Sequence, residues 1–120
     1  MQERVQEKLS QEQSRSNLSV SSVFMSPKAE YKILEIGYPA VFFGTLDLSS
    51  LKHGDSVEIV IRLSAGAAKQ GINFRRTFSG PLPDPLIDIP ERYGSSINVS
   101  LTQLTGEHCE VYYDLRWRKL

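Results

Sequence analysis

The side chains that most often carry nucleophilic, redox or metal chemistry are scarce: the chain holds two histidines and one cysteine in 120 residues. His108 and Cys109 are neighbours at the start of a strand-like run, so they project to opposite faces and cannot close on one ion. Cys109 has the parity of the apolar side, the setting of a small core residue; a reactive thiol needs an exposed electropositive site. Serines are plentiful, yet none stands in a nucleophile elbow, and no glycine-rich phosphate loop opens a helix. Asp84, Asp88 and Glu91 lie close together around a proline-rich connector, where a glycosidase-like pair or a calcium site can be imagined. Carboxylate pairs catalyse only when two environments drive their pKa values apart across a cleft, and closeness in sequence supplies no cleft. The expectation is solvated loop acids, no enzyme activity, no metal and no cofactor.

The elements that would position any site are strands. In Cys109–Trp117 apolar and polar residues alternate, so Cys109, Val111, Tyr113, Leu115 and Trp117 share one buried face. His108, Glu110, Tyr112, Asp114 and Arg116 look the other way. The same rhythm predicts strands over Leu18–Phe24, Tyr31–Ile36, Ala40–Leu48, Ser56–Leu63, Ile72–Phe78 and Ser96–Leu104, with a short one at Leu86–Ile89 closed by Pro90. In Ile72–Phe78, Arg76 has the parity of the apolar residues and is expected at the sheet margin with its head in water. Gly80-Pro81-Leu82-Pro83-Asp84-Pro85 reads as a stiff extended connector. Thr105-Gly106-Glu107-His108 is expected to join the last two strands as a hairpin. Strands this dense must stack or roll, because a lone sheet would leave one apolar face in water. The fold class is therefore all-β: a seven- to eight-stranded antiparallel sandwich, with a jelly roll as one form of it and an up-and-down barrel as the runner-up.

Residues 1–17 are a different material, a polar arm, ahead of a β-sandwich domain over 18–120. Val5 and Leu9 lie four apart and would form a narrow helical stripe needing a partner surface; otherwise the arm is disordered. Arg4, Lys8 and Arg15 are offset by Glu3, Glu7 and Glu12, and the whole chain balances 14 basic against 14 acidic residues. No overall field draws in a nucleic-acid backbone, so no nucleic-acid partner is expected. A single cysteine forbids an intrachain disulfide. No secretory signal is visible and the longest apolar run, near Tyr38–Phe43, is too short for a bilayer, so the expected location is cytoplasmic or in a virion. Asn17-Leu18-Ser19 and Asn98-Val99-Ser100 fit the glycosylation triplet, a pattern common by chance.

In length and strand pattern, Leu18–Leu120 resembles single jelly-roll proteins of virus particles and similar β-sandwich modules. The turn Leu51-Lys52-His53-Gly54-Asp55 leading into a strand, and the closing segment around Gly106, carry the likeness, which implies architecture and no functional residues. The neutral arm departs from the basic arms of many capsid proteins and speaks against genome packaging. The expected function is a self-associating structural or decorating subunit, partnered by itself or by another assembly component. Candidate interface residues are Val5, Leu9, Arg75, Arg76, Tyr93, Tyr112, Arg116 and Arg118, the arginine and tyrosine enrichment of protein interfaces. The alternative is a glycan-binding module, for which Tyr112 is the outward aromatic ring on the best-defined strand.

Overall fold

The computed structural model describes residues 17–66 and 68–120, and within them every regular element is a strand. In chain order they are β1 (Asn17–Met25), β2 (Glu30–Ile36), β3 (Ala40–Asp47), β4 (Ser56–Ser64), β5 (Gly71–Ser79), β6 (Leu86–Gly94), β7 (Ser96–Thr105) and β8 (Cys109–Lys119). They form two four-stranded antiparallel sheets, ordered β1-β8-β3-β6 and β2-β7-β4-β5. The expected arm, with Val5 and Leu9, lies outside the described residues. The pairing is nested: β1 with β8, β2 with β7, β3 with β6, β4 with β5. One long antiparallel hairpin has folded over on itself, and the pairs β3–β8 and β4–β7 close each half into a sheet.

Period-two alternation explains why the sheets face one another. From the first sheet Met25, Phe42, Leu46, Val111 and Leu115 point inward, and from the second Val57, Ile59, Ile61, Ile97, Val99 and Leu101 meet them; all are almost fully buried. Each such side chain contributes about 1.5–3 kcal/mol through its removal from water. Cys109 is buried with them. At Gly44 the β3 backbone runs directly beneath Leu115 and against the Asp114 carbonyl of β8, leaving no room for a Cβ.

Two local expectations are corrected. Thr105–His108 is not a hairpin turn: β7 and β8 belong to different sheets, and the segment carries the chain across the sandwich. Gly106 takes φ 93° there, tight against Asp55, a conformation that glycine adopts without strain. Alternation looks the same whether two strands lie side by side or face one another across a core, so it could not separate the two cases. The β4–β5 pair is the hairpin between consecutive strands instead. Nor does Pro90 end β6, which continues to Gly94. The proline sits on an edge strand where the register with β3 shifts between Phe42 and Gly44, a place where a missing N–H costs the ladder nothing.

Candidate interaction face

The two outer faces differ in kind. On the β2-β7-β4-β5 sheet, long charged side chains lie across the surface in pairs: Arg62–Glu30 at 3.6 Å, Arg75–Glu58 at 3.5 Å and Lys32–Glu35 at 3.7 Å. The Ser100 hydroxyl donates to Glu30 at 2.9 Å beneath them. This layer covers outward-pointing residues so well that Val60 is only 4% exposed and Ser100 1%. Aliphatic stems of Arg, Lys and Glu form the roof while their heads stay wet.

Among the described residues the β1-β8-β3-β6 sheet has no such roof, its ion pair being Arg116–Asp114 within β8. The register sets its outward side chains in rows across the strands: Ser22, Tyr112, Asp47 and Leu86 form one, and Asp114, Thr45 and Asp88 continue the next, where Val20 of β1 stands opposite Asp114. Phe43 stands opposite Arg116, and Val41 lies between Arg118 and Tyr93. Leu86 is 62% exposed, Tyr93 54%, Tyr112 49% and Phe43 38%. With Phe24 of β1, five of the eight exposed large apolar residues among the described ones belong to this sheet's strands. Two shallow depressions follow the rows. One, of about 520 Å³, is lined by Ser22, Thr45, Asp47, Leu86, Tyr112 and Asp114. The other, of about 560 Å³, is lined by Phe43, Thr45, Asp88, Pro90, Glu91 and Arg116 among others.

Hydrogen bonds hold the polar members in place. The Glu110 carboxylate accepts from the Ser22 hydroxyl at 2.7 Å and from the Tyr112 phenol at 3.0 Å. That bond and the negative charge behind it push the Tyr112 phenol above its usual range. Arg116 meets Asp114 with two nitrogens, at 3.2 and 3.3 Å. Ser49 holds the Asp47 carboxyl below the usual carboxylate range by donating to it. The Phe24 ring stacks on His108 at 5.3 Å between centroids. Among the described residues no three His, Cys, Asp or Glu side chains gather to hold a metal.

Of the residues singled out by sequence, Tyr93, Tyr112, Arg116 and Arg118 are brought onto this one face. Arg75 and Arg76 are not. They sit on β5 in the other sheet, Arg75 within the charged roof and Arg76 exposed at the margin with its guanidinium 4.7 Å from the centre of the Phe78 ring. Asp88 and Glu91 line the second depression beside Asp114 and Arg116, whereas Asp84 and His53 are exposed in connections elsewhere. Sequence reasoning missed Phe43 and Leu86. Phe43 carried a readable signal, because it alternates with Phe42, while Leu86 follows the Pro85 connector and has no rhythm to place it. Asn98 of the second triplet is 7% exposed in the middle of β7, which closes it to a glycan.

No protein-family model matches the chain. No curated protein matches it either. A solved structure described as infectious bursal disease virus, Gt strain, aligns with 88% of this chain at 12% identity and a TM-score of 0.45. The alignment takes up 33% of that longer chain. No helix of the described residues is long and apolar enough to cross a membrane.

Proposed function

We propose that the chain is a non-enzymatic, self-associating subunit, a structural or decorating component of a larger assembly such as a virus particle, with a jelly-roll wiring. Nested pairing of eight strands in two sheets supports the wiring, which is one that capsid and lectin domains share. The observation that carries the functional reading is the contrast between a sheet largely roofed by ion pairs, where Ile72 and Leu104 are the large apolar residues left exposed among the described ones, and a sheet whose Phe43, Leu86, Tyr93 and Tyr112 stay in water. A patch of exposed rings rimmed by polar groups is the signature of an interaction surface. Both charge signs are present on it, Asp47, Asp88 and Asp114 toward one end and Arg116 and Arg118 toward the other, so a second copy turned about a two-fold axis meets opposite charge. Sedimentation velocity over a range of concentrations tests this. The expected result is a mass above that of one chain, with dissociation at least about tenfold easier in Leu86→Ser/Tyr112→Ser and unchanged in Lys32→Ala/Glu35→Ala on the roofed sheet. A monomer at every concentration overturns it.

A second reading, glycan binding, is favoured by the depression at Tyr112, where one exposed ring stands beside Asp47, Asp114 and Thr45. A sugar would stack on the ring and donate its hydroxyls to the carboxylates. A glycan array gives binding that Tyr112→Ala abolishes if this is correct, and no signal if it is not.

A further inference from the structure

Among the described residues four strands lie at sheet edges, and three of them carry the devices that keep edges apart. β2 has Glu30, Lys32 and Glu35 and a register shift between Lys32 and Leu34. β5 has Arg75 and Arg76 and a shift in its pairing with β4 between Ile61 and Arg62. β6 has Pro90, Asp88, Glu91 and Arg92 as well as its own shift. β1 has none of these. Asn17-Leu18-Ser19-Val20-Ser21-Ser22-Val23-Phe24-Met25 contains no charge, proline or glycine, and it stays in unbroken register with β8 over nine residues, Asn17 with Trp117 to Met25 with Cys109. Every second residue of such a strand turns its N–H and C=O away from the sheet, a ready template for another strand.

We propose that β1 is a second contact through which copies of this chain join, pairing antiparallel about a two-fold axis so that the β1-β8-β3-β6 sheets become one eight-stranded sheet. This rests on the self-association reading and adds an edge contact to the one proposed for the open face, since β1 and the Leu86 strand β6 lie at opposite edges of the sheet. A second copy is the fitting occupant because strand pairing about a two-fold sets each strand against itself. Charges of one sign near the axis would then oppose one another, and β1 alone among the edges has none to oppose. The residues ahead of β1 make a poorer occupant: Leu9–Ser16 contain no Gly, Asn or Asp, the residues that the positive φ of two-residue hairpin turns favours.

The register follows from the faces. Directly opposed residues of an antiparallel pair share a face, so outward Ser22 and Phe24 must oppose residues of even number, and the axis must pass through a residue. Overlap of all nine residues puts it at Ser21, which is exposed. Ser21 then faces its own copy. Phe24 stands in register with Leu18 of the other chain, about 20 Å along the strand from the other Phe24.

The test is mild oxidation of the full chain carrying Ser21→Cys, with Phe24→Cys as the comparison; Cys109 stays in place because it is buried. The expected result is a rapid disulfide-linked dimer for Ser21→Cys and none for Phe24→Cys, with peptide mapping placing the link at position 21. Ser21→Lys, a change at an exposed position, is expected to weaken the dimer by up to about fivefold without moving the thermal midpoint of the dilute chain. A chain that associates by sedimentation yet gives no link at position 21 overturns the edge contact and leaves self-association standing. Amide exchange that is fast along β1 only after residues 1–16 are removed assigns the edge to the chain's own arm, and also overturns it. A chain that never associates overturns both.

Discussion

Gly44 gives the most demanding check on the packing that presents the open face. It lies on β3 opposite Leu115 of β8, and a methyl added there would collide with the carbonyl oxygen of Asp114 and come within 2.7 Å of Leu115 Cδ2 and 3.0 Å of its Cα. Leu115 can yield by a change of rotamer, but the backbone of a central strand cannot move without breaking its ladder. Overpacking of this kind costs about 1–3 kcal/mol, and the backbone collision places Gly44→Ala at the upper end. The entropy that alanine saves in the unfolded chain, about 0.5–1 kcal/mol, offsets part of that. A net loss of about 2 kcal/mol remains, or roughly 8 °C in the melting midpoint of a domain this size. Gly37→Ala is the control, since a methyl added at that position meets nothing within 4 Å, and it should stay within about 0.5 kcal/mol of the parent. Urea unfolding followed by Trp117 fluorescence measures both. A Gly44→Ala chain as stable as Gly37→Ala would refute the close approach of β3 and β8.

Cys109 is buried, and burial together with the charge of Asp55 raises its thiol pKa, so it should resist a thiol-reactive disulfide in native buffer and react only as urea unfolds the chain; immediate stoichiometric labelling contradicts this. The Asn98 side-chain oxygen is buried without a hydrogen-bond partner, so Asn98→Val should leave stability unchanged or raise it by up to about 1 kcal/mol, and a clear loss in a urea titration counts against the arrangement. The Tyr112 phenol should lose its proton at higher pH than an unperturbed tyrosine, because its proton is held by Glu110 and the phenolate would face a carboxylate; carbon-13 NMR of the ring should show the titration moving down in Glu110→Ala, and no movement breaks the link.

Strand positions and their inward faces were legible in the residues because strand geometry is local: side chains alternate at every step, and a buried face must be apolar along its whole length. Val57, Ile59 and Ile61 on β4, and Val111 and Leu115 on β8, declared their side without reference to any partner. The outwardness of Tyr112 and Arg116 came from the same rule. Partnership was not legible. Whether Ser96–Thr105 lies beside Cys109–Lys119 or across from it depends on which apolar faces meet, a matter of the whole chain's packing, and only the folded sandwich placed β7 and β8 in opposite sheets. Likewise the arginines at 75 and 116 look alike in sequence, yet one helps to roof its face and the other borders an open one, because the nested pairing sends their strands to different sheets. The lack of charge in β1 could be read from its residues; that β1 stands at an edge could be known only from the order of strands. Alternation is written residue by residue, whereas adjacency is a contest among long-range pairings that the three-dimensional structure alone decides.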